Sequence, residues 1–172
     1  MKPSKVEKII CFLLVKLVCN FRPRWATKIQ VHFFRRWGMK FNDKPNYISS
    51  KVWMDGTDYS LISIGKEVTI SSYVRVLTHD WSLHTVAKGF DIEQSSPLGS
   101  IKEVEIGDYS FIGTGSIIMP GAKIGRCCII GSGTVVRGHI PDYSICIGSP
   151  CVVIGNVKDY INKKIGRNKD VV

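Results

Sequence analysis

Residues 106 to 136 read IGDYSFIGTGSIIMPGAKIGRCCIIGSGTVV. Aliphatic residues stand at Ile106, Ile112, Ile118, Ile124, Ile130 and Val136, each six after the last, and Gly follows directly at 107, 113, 125 and 131. Ile64, Ile70 and Val76 carry the same beat earlier in the chain. The fifth place of each unit is small or modest in size: Val68, Val74, Ser110, Ser116, Ala122, Cys128, Thr134 and lastly Ile140. A period of six fits neither a helix of about 3.6 residues per turn nor a lone strand of period two. It suits a short flat strand and a corner, repeated. Three such faces close a triangular coil of about eighteen residues, and coils stacked about 4.8 Å apart satisfy each other's backbone hydrogen bonds. The aliphatic residue fills the interior, the fifth residue takes the remaining inward space, and Gly relieves the backbone at the corner. Pro120, Pro141 and Pro150 fall at predicted corners or at the end, where no ladder donor is lost.

A chain of 172 residues is one domain by length. Its formal net charge of +10 is unevenly placed: residues 1–44 hold eleven Lys and Arg against Glu7 and Asp43, and the rest is close to neutral. Within that basic segment Trp25, Ile29, Phe33 and Trp37 recur every four residues, with Arg24, Lys28, His32, Arg35 and Arg36 on the other side. This pattern predicts an amphipathic helix with two readings. It lies on an anionic membrane surface, holding the protein near lipid-linked glycans together with Ile9 to Val18; or both helical stretches cap the open end of the stack. No recognised nucleic-acid module accompanies the charge, so no nucleic-acid partner is expected. The apolar run from Ile9 to Cys19 is too short to span a bilayer, is interrupted by Lys16 and lacks a small-x-small cleavage site. The six cysteines form no Cys-x-x-Cys unit and no Cys/His cluster. They read as buried thiols in a reducing compartment, and a cytoplasmic location is expected, with peripheral membrane contact as an addition.

The beat stops at Val76 and resumes at Ile106. The gap opens with Thr78-His79-Asp80, and Phe111-Ile112-Gly113, Pro120-Gly121 and Gly148-Ser149-Pro150 follow it. In repeat and in this order of parts the chain resembles the hexapeptide-repeat acyltransferases, and among them the maltose, galactoside and polysaccharide O-acetyltransferases. The resemblance covers about residues 46–157. It implies a left-handed parallel β-helix, a handedness that spacing alone does not give. The fold class expected is therefore all-β, with a basic N-terminal helical segment (1–45), the β-helix (46–157), an irregular excursion (81–103) and a C-terminal tail (158–172).

Moving an acetyl group from a thioester to a sugar hydroxyl requires a proton acceptor as the oxygen attacks. Imidazole, with a pKa near 6.5, suits that task. The resemblance assigns it to His79. Asp80 is either the group that orients this ring or a turn former. His84 either touches the acceptor or is solvated; His139 and His32 read as structural. A backbone N–H at Thr114 is implied as the donor that steadies the oxyanion. Phe111 stands where relatives carry an aromatic residue in the acyl and acceptor pocket, or packs on the exterior. Gly113 and Gly131 keep the surface low for the pantetheine arm of coenzyme A, or ease corners. Arg137, Ser132 and Gly138 are implied in cofactor contacts. The segment after Gly148-Ser149-Pro150 lacks the basic residue many relatives carry there, which turns attention to Lys158, Lys163 or Lys164.

The function implied is an acetyl-CoA-dependent O-acetyltransferase acting on a sugar or glycan hydroxyl by direct transfer, with no metal. Its sites would lie between subunits of a homotrimer, with the excursion reaching a neighbour. Amino-sugar N-acetylation or antibiotic acetylation on the same fold are the nearest alternatives. A γ-class carbonic anhydrase lacks its upstream histidine here, since His32 lies outside the repeat. A noncatalytic scaffold is the remaining reading.

Overall fold

The computed structural model describes residues 3–92 and 96–169. The repeating aliphatics form its central column: Ile64, Ile70, Val76, Ile106, Ile112, Ile118, Ile124, Ile130, Val136 and Ile140 are all between 0% and 4% exposed. Each buried aliphatic of this size contributes about 1.5–3 kcal/mol relative to exposure.

These residues sit on three faces. The first stacks Lys40–Phe41, Ile62–Ile64, Val104–Ile106, Lys123–Ile124 and His139–Ile140. The second stacks Tyr47–Ile48, Thr69–Ile70, Phe111–Ile112, Ile129–Ile130 and Ser144–Ile147; the third stacks Trp53–Met54, Arg75–Val76, Ile117–Ile118 and Val135–Val136. Every pairing among these is parallel and in register by repeat, as in Ile70 with Ile112 and Ile130, or Val76 with Ile118 and Val136. The chain is thus a parallel β-helix whose coils begin at Lys40.

The repeat places glycine where coils approach, not where they turn. A Cβ on Gly107 would lie 2.5 Å from the Gly125 carbonyl carbon and 2.7 Å from the Arg126 nitrogen. The left-handed backbone falls three places after most of the aliphatics instead, at Glu67, Tyr73, Tyr109, Gly115, Gly121, Cys127 and Gly133. Gly107→Ala must push one coil off the next, because backbone atoms cannot rotate away. The expected loss is about 1–3 kcal/mol. At roughly 2–4 °C per kcal/mol, thermal circular dichroism should show Tm falling by about 2–12 °C.

The expected N-terminal helical segment consists of two helices, α1 (Lys5–Val18) and α2 (Pro23–Arg36); the all-β reading of the rest is corrected among the described residues by α3 (Ser82–Lys88) and α4 (Val157–Lys169). Ser4 opens α1 with a capping box closed by Glu7, and Pro23 starts α2. Helix α2 covers the open edge of the first coil. Its Thr27 hydroxyl bonds to both the Ile48 N–H (3.1 Å) and the Ile48 carbonyl (3.2 Å), and the Gln30 amide donates to the Ser49 carbonyl (3.3 Å). Phe34 and Trp37 pack on Tyr59. This is the capping arrangement, in which α2 turns much of its aromatic stripe to protein: Trp37 is buried, Ile29 and Phe33 are half-buried, and Trp25 alone is exposed.

The excursion is not irregular throughout. Its arms pair as antiparallel strands, His79 with Ile101 and Asp80 with Ser100, and α3 lies between them. The C-terminal tail likewise holds α4, preceded by Val152–Asn156 lying antiparallel on Ser144–Ile147. The reading of six unpaired thiols is corrected too. The return of the chain from Ile147 to Val152 brings Cys146 and Cys151 to a Cα separation of 6.0 Å, and a disulfide joins them. Cys11, Cys19, Cys127 and Cys128 are free. Among the described residues no helix is long and apolar enough to cross a membrane.

Candidate active site

His79 leaves the third face where that face meets the first. Its Nδ1 lies 2.5 Å from Oδ2 of Asp55, one coil below. Asp80, read from the sequence as either the orienting group or a turn former, lies as a turn former would: its Oδ1 accepts the Ser82 N–H (2.9 Å) at the start of α3. That bond holds the Asp80 carboxyl below its usual range, with a smaller contribution from the Arg137 charge.

Asp55 is 2% exposed and its two oxygens are crowded with donors. Oδ1 accepts the Thr57 N–H (3.0 Å); Oδ2 accepts the Thr78 N–H (3.0 Å) and the Thr78 hydroxyl (2.7 Å). Burial pushes this carboxyl up, but the Thr78 hydroxyl and the backbone N–H groups of Thr57 and Thr78 outweigh it and hold it below the usual carboxylate range. Asp55 is therefore a carboxylate, which can only accept. The proton between the pair must sit on Nδ1 of His79, leaving the Nε2 lone pair free to take another. The Thr57 hydroxyl stands 3.4 Å from the same Nδ1.

Trp81 flanks the ring, with centroids 5.9 Å apart. Its indole lies on Gly99 so closely that a Cβ there would come within 2.0 Å of the ring. The indole is still 40% exposed. His84, on α3, accepts the Leu98 N–H through Nδ1 (3.4 Å) and so links the two arms of the excursion.

Asp55, Leu77, Met119 and Arg137 each follow the last residue of a third-face strand, and their column marks the edge beside His79. The ladder runs from Asp55 N–H to the Val76 carbonyl, Leu77 N–H to that of Ile118 and Met119 N–H to that of Val136. Gly138 follows Arg137 on this edge with a φ of 67° and open space above it. Thr114 and Ser132 lie on a different edge, between the second and third faces, with Phe111, Gly113 and Gly131 leading into it. The third face separates the two edges by on the order of 13 Å, taking four residues at about 3.3 Å each. A groove of about 480 Å³ lies on this face, lined by Lys51, Trp53, Tyr73, Arg75, Leu77 and Ile117.

The Thr114 edge has a property that sequence reasoning missed. On the edge between the first and second faces, two of the equivalent N–H groups are spent: Lys66 donates to Asp108 Oδ1 (2.7 Å) and Arg126 to Asp142 Oδ1 (2.9 Å). On the Thr114 edge, the N–H groups of Ser72, Thr114 and Ser132 donate to no group among the described residues. Three stacked donors are left over. Gly115 and Gly133 beside them have φ near 70° and no atom within 4 Å of where a Cβ would be, so the edge is open.

Other expected residues are placed as follows. Phe111 is 44% exposed on the outer side of the second face. A Cβ on Gly113 would meet the Ser132 nitrogen at 2.5 Å, and one on Gly131 the Ile147 Cγ2 at 2.7 Å, so close packing of coils accounts for both. Lys158 sits over the Tyr143 ring at 4.2 Å, on the third edge, away from Thr114 and Ser132. His139 lies in the strand His139–Ile140 and is exposed. Among the described residues, no group of three or more His, Cys, Asp and Glu side chains is arranged to hold a metal.

Residues 103–138 match the family described as bacterial transferase hexapeptide (six repeats). Protein CapG of Staphylococcus aureus is 32% identical over 136 residues, which is 79% of this chain and 76% of that protein. A galactoside O-acetyltransferase of Lactococcus lactis is 34% identical over 70 residues, 41% of this chain and 34% of that enzyme. Against it and two other curated acetyltransferases the chain spans 34%, 31% and 46% of their length. Among solved structures, a hexapeptide-repeat acetyltransferase from Vibrio cholerae complexed with acetyl coenzyme A superposes with a TM-score of 0.57 at 18% identity, covering 90% of this chain and 87% of that one.

Proposed function

Since the chain belongs to the hexapeptide-repeat acyltransferases, we propose that it transfers acetyl from acetyl-CoA to a hydroxyl of a sugar or glycan, with His79 as general base. The observation that carries this reading is the Asp55–His79 pair, which fixes the tautomer that base catalysis needs. His79 Nε2 takes the hydroxyl proton as the acceptor oxygen bonds to the acetyl carbon. The Thr114 N–H steadies the oxyanion. When the carbon–sulfur bond breaks, the imidazolium returns the proton to the departing thiolate, so each turn leaves the enzyme as it began.

In this reading Ser72, Thr114 and Ser132 supply backbone donors to the acetyl oxygen and to the amides of the pantetheine arm. Gly113 and Gly131 leave that edge low. Arg137 and Gly138 flank the path, while Lys158 is too far round the prism to share it. The partly exposed Trp81 offers a flat apolar face beside His79, of the kind that packs against a sugar ring. The galactoside acceptor of the Lactococcus relative and the acetyl coenzyme A in the Vibrio structure support the two substrates.

One chain holds the base and the donor ladder on separate edges, so a complete site draws His79 from one subunit and the Thr114 edge from the next. Outer residues support this assembly. The first face is polar, with Lys40, Ser63, Glu105, Lys123 and His139, and Lys123 pairs with Glu105 at 2.9 Å. The second and third faces instead turn out mostly apolar residues: Tyr47, Phe111, Ile129 and Ile145 beside Thr69, and Trp53, Ile117 and Val135 beside Arg75. Two apolar flanks and one charged one fit a three-fold packing, with the polar face to water.

The test is release of coenzyme A thiol from acetyl-CoA over a panel of sugars, glycosides and nucleotide sugars. Acceptor-dependent release, with the acetyl on oxygen by mass and NMR analysis, is expected. Release with amino sugars only, giving an amide, would replace the hydroxyl acceptor with an amine, and no release with any member would remove the reading.

A further inference from the structure

The two-helix cap carries a face that its packing does not explain. Helix α1 buries one narrow stripe, Cys11 and Val15, against the rest of the molecule. The opposite side of a water-exposed helix is ordinarily polar. Here it is Val6, Ile9, Ile10, Leu13 and Leu17, at spacings of three and four residues, each between 44% and 73% exposed. Phe21 just beyond is 84% exposed. A helix apolar on both sides is either buried or in contact with lipid.

The same cap is strongly basic. Residues 3–44 hold ten Lys and Arg against Glu7 and Asp43. Lys5, Lys8 and Lys16 punctuate α1, with the Lys16 ammonium 5.8 Å from the Phe12 ring. Along α2, Arg24, Lys28, His32 and Arg35 line one flank of a cleft of about 680 Å³, which Lys44 and Glu67 help close. Two copies pairing through this face would bring like charges together. An anionic surface neutralises them.

We propose that α1 docks the protein on an anionic phospholipid bilayer, lying in the plane of the interface. Ile9, Leu13, Leu17 and Phe21 enter the acyl boundary, while the cations of α1 and the α2 flank meet the headgroups. The helix has 14 residues. At about 1.5 Å each it reaches roughly 21 Å, short of a hydrocarbon core of about 30 Å, so it lies flat instead of spanning. The sequence pointed to the aromatic stripe of α2 together with Ile9 to Val18 for this contact; most of the α2 stripe is spent on the β-helix, which leaves the outer face of α1. The inference does not depend on the acyl-transfer reading.

Cosedimentation of the full chain with vesicles tests it. Binding is expected to equimolar phosphatidylglycerol and phosphatidylcholine, and at least tenfold less to phosphatidylcholine alone or in 0.5 M salt, where the Debye length falls to roughly 4 Å from about 10 Å at 0.1 M. The double variant Leu13→Glu/Leu17→Glu, at exposed positions, is expected to keep its circular dichroism spectrum and bind at least tenfold more weakly. No binding of the wild type to anionic vesicles, or equal binding by the double variant, overturns the proposal. So does a wild type that ignores vesicles yet runs larger than the double variant on gel filtration, which would assign the face to a second copy of the chain.

Discussion

His79→Ala is expected to lower kcat for acetyl transfer by about 10²–10⁴-fold, the range that a positioned general base supplies. Alanine leaves the acceptor hydroxyl to lose its proton to water, while the Asp55 carboxylate keeps its bonds to Thr57 and Thr78. The donor ladder at Ser72, Thr114 and Ser132 lies on another edge of the chain, so KM for acetyl-CoA should change little. Asp80→Ala makes the contrast. It removes a contact to the start of α3 and none to the imidazole, so its effect on kcat should stay within a few-fold. Steady-state kinetics of the three proteins with one acceptor decide the matter. A His79→Ala enzyme as fast as the wild type would sink the assignment, and an Asp80→Ala enzyme as slow as His79→Ala would return the orienting role to Asp80.

The fold was legible because its signal is a spacing. Ile106 to Val136 repeats at six, and a buried aliphatic every six residues has few solutions other than a three-faced coil. What each glycine does was not legible. A glycine that turns the chain and a glycine that lets two coils touch look alike in sequence, and only the position of the left-handed residues, three places after most of the aliphatics, separates them. The repeat also began earlier than its clear beat. Met54 stands six after Ile48, and that faint pair marks the first coil on which Asp55 sits.

Asp55 itself shows the limit of reading along the chain. It lies 24 residues before His79, and nothing local couples them. The coupling comes from stacking: Asp55 follows Met54 as Leu77 follows Val76, so one coil of register carries the carboxylate under Thr78 and His79. Asp80, adjacent in sequence, was one of two readings, orienting group or turn former, and neighbours in a strand point to opposite sides. The basic helix was left open between two readings for a different reason. Its amphipathic pattern was plain at Trp25, Ile29, Phe33 and Trp37, but periodicity reveals a face and not what the face meets. Tyr59 and the open edge at Ile48 and Ser49 took that face.

Asp55→Asn should cost both stability and rate, for one reason. The carboxylate accepts from Thr57 N–H, Thr78 N–H, the Thr78 hydroxyl and His79 Nδ1. An amide has one oxygen to offer and two donors of its own. With its oxygen toward Thr78 and His79, its NH₂ opposes the Thr57 N–H; turned the other way, it opposes Thr78 and forces His79 to carry its proton on Nε2. The first arrangement leaves a buried donor unpaired, at about 1–3 kcal/mol. The second removes the lone pair that accepts the substrate proton, a wrong-tautomer loss of up to about 10⁴-fold in kcat. ¹⁵N chemical shifts of the imidazole distinguish them, since the wild type should show the Nδ1–H form. The stability difference should also depend on pH with a definite sign. The folded-state pKa of Asp55 is depressed, so the stability it confers is complete above the unfolded value of about 3.9 and is lost as pH falls through the folded one. Denaturant melts of wild type and Asp55→Asn should therefore differ fully near neutrality and begin to converge only below about pH 4. Equal stability at pH 7 together with undiminished kcat would mean that the carboxylate neither holds the corner nor orients the ring.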